Sequence, residues 1–435
     1  MYRQNLLFYP ARFAHYDAVF EHLDLSPIEE EKPRTGRKPF PRQAICRALI
    51  YRNLQGIRTL SELETEFSTN LGIAYKCGFE NPPSRHRFEE FLHSTPNEIF
   101  QKVKKKQVKT LISLGTITGK FLSIDATPVI AWVKENNPKI FLKHKFNKRK
   151  FPKGDPDARL GVMIAQISPS VKKERQLELF GSPKKSKQIR FFWGYRNHTI
   201  FDSLSELPVF EITKQANVFE AKVFIPSFKQ VKKNFKFKPK GVLGDAIHDT
   251  ENIRRFIRKN LKSKDFIPIN PRSSKKEIKL SPRNTRICIA GLEMYPWGKF
   301  KDRGRIRQKF VCPILHLKHV AKKYPACPMN HPRFHKGGCY AYVRVDKSYR
   351  AAAPDVKSGY FKEIYKLQSG SERGFSRLLN LYMQQPKITG LNAVANHCTL
   401  AHITILAIAI TAIKTNNPRY MRFIKGLLRK LIQNP

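Results

Sequence analysis

GKFLSIDATPVIAWV, residues Gly119–Val133, is an apolar, β-prone run broken by one acid. Phe121, Leu122 and Ile124 precede Asp125, and Val129, Ile130 and Trp132 follow it. The pattern predicts a buried strand. A carboxylate on such a strand is costly unless a cation or hydrogen-bond donors meet it. An acid capping a strand end would account for Asp125 taken alone. Two later segments argue for more. PKGVLGDAIHDT, Pro239–Thr250, repeats the pattern, an apolar strand ending in Asp245. YKLQSGSERGFSRLL, Tyr365–Leu379, sets Glu372 in a helix-like segment.

The chain has 435 residues, enough for more than one domain and a substantial core. Lys and Arg number 82 against 34 Asp and Glu, a formal net charge of +48. That excess goes beyond what solubility needs and predicts a polyanionic partner, nucleic acid or an acidic membrane surface. The amino terminus carries no basic–apolar–small signal, so no secretory peptide is expected. Seven cysteines without a regular framework suit a reducing compartment. Val394–Ile413 is long and apolar, but Asn396, His397, Thr399, His402, Thr404 and Thr411 are spread along it. It reads as the buried helix of a large core rather than a membrane span. The charge then points to DNA or RNA.

Residues 1–118 read as largely helical. Arg42–Leu54 and Leu60–Phe67 have apolar residues at three- and four-residue spacing, and Ser84–Leu92 opens with a candidate cap. Short helices with exposed Arg suit a helix-turn-helix-like DNA-binding unit or a plain helical support. Lys102–Lys109 is a basic stretch leading to the first strand. After that strand, Lys143–Lys153 (KHKFNKRKFPK) is a dense positive run with two aromatics. It is either a solvated linker or a phosphate contact made by Lys143, Lys145, Lys148, Arg149 and Lys150. Strands are expected in Asp155–Gln166, Arg190–Phe201 and Leu207–Thr213, with a polar loop at Lys172–Lys187. A helix over Phe219–Val231, the Asp245 strand, a helix over Thr250–Leu261 and a strand over Asp265–Ile269 follow. Together these predict one mixed α/β sheet with helices packed on it over residues 119–269. Residues 270–359 break the rhythm and read as an insertion before the Glu372 helix and the closing segment 360–435.

Phosphodiester cleavage and transfer need an activated nucleophilic oxygen and a stabilised leaving oxygen. Two divalent ions held roughly 3.5–4 Å apart do both. Mg²⁺ takes few protein carboxylates and fills its remaining positions with water and phosphate oxygens. Two Asp and one Glu therefore suffice, although spacing alone selects no three of the 34 acids. Selection comes from resemblance. SIDATPV, the strands and helix of FFWGYRNHTIFDSLSELPVFEITKQANVFEA, and GDAIHDTENI resemble DDE transposases of prokaryotic insertion sequences. The second motif of that family reads Asp, two residues, an aromatic, Asp; here His248 takes the aromatic place before Asp249. The third is Tyr, two residues, Arg, three residues, Glu, six residues, Lys. Tyr365 and Glu372 match it, Gln368 and Leu379 replace the Arg and the Lys, and Arg373 and Arg377 lie close by to supply charge. Seven residues apart, Tyr365 and Glu372 would share one helix face.

The resemblance spans residues 40–413. It implies an RNase H-like catalytic core, with Asp125, Asp245 and Glu372 holding two Mg²⁺ (or Mn²⁺). It implies cleavage at transposon ends and joining of the 3′-OH to target DNA. It also implies DNA contacts from Tyr365, Arg373 and Arg377, a homodimer on DNA, and a place in the cytoplasm at the nucleoid. Asp155, Asp157, Asp202 and Asp249 are rival metal ligands. A non-catalytic descendant, or a nuclease of the same fold, is the alternative.

Within the insertion, Cys312, Cys327, His331, His335 and Cys339 are candidates for a structural zinc site. Zinc takes four N or S ligands, so three Cys and one His complete it, and Pro332 favours His331 over His335. Reduced cysteines that simply pack are the alternative.

Overall fold

The computed structural model describes residues 13–31, 38–137, 151–167, 186–270, 281, 285–302, 305–344 and 353–433. The proposed phosphate-contacting residues Lys143, Lys145, Lys148, Arg149 and Lys150 lie outside the described residues, as does most of the Lys172–Lys187 loop.

Among the described residues six helices precede the sheet: α1 (Ala14–Glu21), α2 (Arg42–Gln55), α3 (Leu60–Thr69), α4 (Leu71–Cys77), α5 (Arg85–Ser94) and α6 (Asn97–Ser113). α3 starts in a capping box, in which the Thr59 hydroxyl accepts from the Glu62 N–H and the Glu62 carboxylate from the Thr59 N–H. Ser84 stands at the start of α5 but makes no such bond. The basic run Lys102–Lys109 is not a lead-in to the strand. It lies inside α6, where Val103 and Val108 are buried and Lys102, Lys106 and Lys109 face out.

The sheet is built on β1 (Phe121–Ile130). Its partners are β2 (Arg159–Ile167), β3 (Ser186–Asp202), β4 (Leu207–Gln215), β5 (Gly241–Leu243) and β6 (Lys264–Phe266), in the order β2-β3-β1-β5-β6. β3 runs antiparallel to β1, and its later half also pairs with β4. β5 runs parallel to β1, and β6 parallel to β5. Parallel neighbours need a crossover. α7 (Glu220–Phe235) leads from β4 into β5, and α8 (Glu251–Asn260) joins β5 to β6. The expected mixed α/β sheet with flanking helices is therefore present, its last strand shorter than Asp265–Ile269.

A separate antiparallel sheet follows, of β7 (Tyr295–Asp302), β8 (Arg305–Val311) and β9 (Tyr340–Arg344). β7 is almost wholly exposed, and the nearby apolar cluster has only Cys312, Ile314 and Cys327 fully buried. Beyond it come α9 (Gly359–Tyr365), α10 (Ser369–Leu379), α11 (Leu391–Lys414) and α12 (Ile424–Gln433). Tyr365 and Glu372 do not share one helix, because a 3₁₀ turn over Lys366–Gln368 separates α9 from α10.

α11 is the one helix among the described residues long and apolar enough to cross a membrane, and it is buried throughout its apolar stretch. Its polar residues are met by neighbouring elements. Asn396 donates to the Leu92 and Thr95 carbonyls, His397 meets Arg52 at 2.9 Å, and Thr404 accepts from Asn53. Thr399 donates to Glu211 on β4, and His402 meets Asn197 on β3. One apolar core runs from Phe13 through the sheet to Leu431.

Candidate active site

The parallel register of β1 and β5 sets two of the acids side by side. Ser123 pairs with Leu243, and two residues further along each chain stand Asp125 and Asp245. Glu372 lies exposed in the first turn of α10. α10 reaches β1 closely because its inner face is small. Ser371 donates to Ser123 Oγ at 2.7 Å, and a Cβ on Gly374 would stand 2.4 Å from the Phe201 ring. Gln368, in the place of the family's Arg, donates to the Ile124 carbonyl at 3.4 Å. It anchors the turn to β1 instead of offering a charge.

Electrostatics report the convergence of the acids. Asp125 is pushed up to about 7, first by burial and further by the charges of Asp245, Glu220 and Glu372, against the pull of the Ala126 N–H at 2.7 Å. Lost solvation raises Asp245 as well. Tyr365, stacked on Phe361, is pushed up to about 12 by burial and then by Asp245, Asp125 and Glu372. The phenol therefore keeps its proton beside three acids. A buried carboxylate raised further by neighbouring acids is what a site built for cations shows before the cation is counted.

Glu220 was not singled out in the sequence. It begins α7 and forms an ion pair with Arg196 of β3. Ligand atoms of Glu220, Asp245 and His248 lie within 4.8 Å of one another, and no other set of at least three His, Cys, Asp or Glu among the described residues is so close. An acid in the first turn of a helix is commonplace, so nothing local marks it. His248 is buried against Phe224, and burial lowers it to about 4.

The rival acids are engaged elsewhere. Asp155 accepts from the Tyr195 hydroxyl, Asp157 from the Leu391 N–H, and Asp202 from Gly119 and Ser205. Asp249 pairs with buried Arg254 at 2.8 Å. Arg373 and Arg377 are not free to replace the missing motif charge. With Arg422 they converge on Glu206, at 2.6, 3.0 and 3.3 Å. Arg377 is largely buried there, and only Arg373 keeps more than half its side chain exposed.

Of the zinc candidates, Cys312 and Cys339 share a thiol hydrogen bond, and Cys327 lies in the same apolar cluster. Cys288 comes close enough to help push Cys339 up, after burial and Cys312, to about 12. His331 Nδ1 accepts from the Arg333 N–H at 3.1 Å. No set of three ligand atoms here lies as close as the Glu220 group.

Two family models match the chain. A Transposase domain (DUF772) covers residues 10–94, and a Transposase DDE domain covers residues 169–407, which includes Asp245 and Glu372 and begins after Asp125. No curated protein matches it. A cryo-EM structure of a piggyBac transposase synaptic complex with hairpin DNA aligns over 97% of this chain and 82% of that one, at 10% identity and a TM-score of 0.35. The DDE-domain match alone spans more than half of the 435 residues, and the chain belongs to the DDE transposases, whose reaction is DNA transposition.

Proposed function

We propose that Asp125, Asp245 and Glu372 are the catalytic acids of this transposase, set in an RNase H-like sheet, and that they hold Mg²⁺ or Mn²⁺. The observation that carries the reading is Asp125, a strand carboxylate raised to about 7 with Asp245 and Glu372 among the charges that raise it. Bound there, two divalent ions would activate the attacking oxygen and stabilise the leaving one. In cleavage a water oxygen forms the new P–O bond at the transposon end and the 3′ oxygen leaves. In joining, that 3′-OH attacks a target phosphodiester and a target 3′ oxygen leaves. Protonated Tyr365 donates a hydrogen bond to a phosphate oxygen, and Gln368 and Ser371 hold the α10 end against β1. Incubation with duplexes carrying the ends of its own element should give nicked ends and joined products with added Mg²⁺. Products with the same yield in a chelator would remove the reading.

The DNA partner is assigned from the +48 charge. We assign grip to three regions: the outer faces of segment 1–118, the Lys143–Lys153 run, and the insertion 270–359. On the last, Lys299, Lys301, Arg305, Arg307 and Lys309 are interleaved with exposed Trp297, Phe300 and Tyr342. That pattern of cations and stacking rings suits a nucleic-acid surface. The acids of 119–269 and 360–435 do the chemistry, two copies act together on DNA, and the protein works in the cytoplasm at the nucleoid. Replacing Lys143, Lys145, Lys148, Arg149 and Lys150 with Gln should reduce the salt slope of binding by about one for each phosphate no longer neutralised. An unchanged slope would return the run to a solvated linker.

Zinc, where bound, is held by Cys288, Cys312, Cys327 and Cys339, the insertion's four thiols. Metal analysis should find about one zinc per chain, lost in Cys339→Ser and kept in His331→Ala. Zinc-free protein would leave these cysteines as packing.

A further inference from the structure

We infer that Glu220, Asp245 and His248 form one of the two cation positions, and that Arg196 is the counter-charge holding Glu220 until the ion arrives. This rests on the two-ion reading above and extends it to residues outside the family triad.

The geometry comes first. The ligand atoms of the three side chains lie within 4.8 Å of one another, so one ion can touch all three. They come from two places in the fold: the start of α7, and the 3₁₀ turn Ala246–His248 after β5, with Asp245 as its N-cap. The second observation is the imidazole itself. His248 is 2% exposed, its Nε2 stands 3.5 Å from Asp245 Oδ1, and its Nδ1 has no hydrogen-bond partner. A buried ring that sets Nε2 beside the Asp245 carboxylate, and has no second polar partner at Nδ1, can offer that nitrogen to a cation. The backbone makes room for it: Gly244 carries no Cβ, and one placed there would stand 3.0 Å from the His248 ring.

Arg196 supplies the third observation. Its guanidinium ion-pairs with Glu220, whose side chain is 13% exposed, and also donates to the Val162 carbonyl. A carboxylate this buried needs a cation at all times. Arg196 serves when no metal is present, and the ion takes over one face of the carboxylate when it binds. The second position would be held by Asp125 and Glu372: the Glu372 charge acts on Asp125, and both act on Tyr365.

The imidazole has a consequence for ion choice. Mg²⁺ prefers an all-oxygen shell, whereas nitrogen ligation favours transition ions such as Mn²⁺. This position should therefore take Mn²⁺ in preference to Mg²⁺.

The test is a Mn²⁺ titration of the full chain, with free ion followed by electron paramagnetic resonance. Wild type should bind about two Mn²⁺. Glu220→Gln should weaken one of them at least about tenfold, or 1.4 kcal/mol, and leave the other in place. His248→Asn should reduce the advantage of Mn²⁺ over Mg²⁺ in competition. Asp125→Asn should weaken the other position. Should E220Q fail to fold because Arg196 is left buried without a partner, the double replacement with Arg196→Gln carries the same test. Titrations of E220Q and H248N that overlay wild type, while D125N loses an ion, would overturn the inference and leave the triad standing. All three overlaying wild type would remove the two-ion reading itself.

Discussion

Asp125→Asn should lower strand cleavage by about a thousand-fold, equivalent to roughly 4 kcal/mol of barrier, with DNA binding little changed. The side chain keeps its shape and loses only the charge that a divalent ion needs. DNA binding should survive because the site is net negative and contributes no attraction to phosphate. Asp245→Asn and Glu372→Gln should behave alike. End-labelled duplex separates the two readouts, cleavage on a denaturing gel and binding by mobility shift. Cleavage within tenfold of wild type in D125N would remove Asp125 from the chemistry.

The same substitution should have the opposite effect on stability. Asp125 sits at about 7 in the folded chain against an ordinary 3.8, so the folded state holds this proton more tightly than the unfolded one. Stability from this group is full below about pH 4 and is lost as pH rises through about 7. Without metal, D125N should melt above wild type at about pH 8 and close to it at about pH 4. Added Mg²⁺ should raise the wild-type melting temperature more at about pH 8 than at about pH 5, since the ion needs the charged form.

Lys104→Ala should be among the most destabilising substitutions outside the site, at about 3–5 kcal/mol. Lys104 Nζ lies 3.2 Å from Glu211, and both side chains are nearly fully buried. Burial alone would raise Glu211. The Lys104 charge and hydrogen bonds from Thr399 and Gln101 overrule it, and the group falls to about 2. Its contribution is therefore present above about pH 4.5 and is lost as pH falls towards about 2. Chemical denaturation of K104A against wild type at about pH 7 measures the loss. A difference below about 1 kcal/mol would mean that water, not lysine, satisfies the carboxylate.

Apolar, β-prone runs made β1 and β5 legible, because a strand buried in a core fills with apolar residues. Apolar residues at three- and four-residue spacing found α2 and α3, and a long apolar stretch found α11. Motif resemblance brought Asp125, Asp245 and Glu372 together across long stretches of chain, which no local rule could do. Glu220 stayed hidden because its nearness to Asp245 and His248 depends on where α7 packs, a tertiary fact. Arg373 and Arg377 misled for the reverse reason. Their charge is visible in sequence, but Glu206, which takes it up, stands in the β3–β4 turn at a left-handed φ of 59°. The break between α9 and α10 also escaped, since Leu367 and Gln368 suit a continuing helix as well as a 3₁₀ turn.

α11 threads its polar side chains into α2, α5 and α6 on one side and into β3 and β4 on the other. The leading helices and the catalytic sheet are therefore tied through the same residues and should melt together. Evolution cannot treat the first 118 residues as a cassette to be exchanged between lineages, because a foreign set would bring the wrong partners for Asn396, His397 and Thr399. A chain lacking α11 would leave the apolar faces that pack on it uncovered.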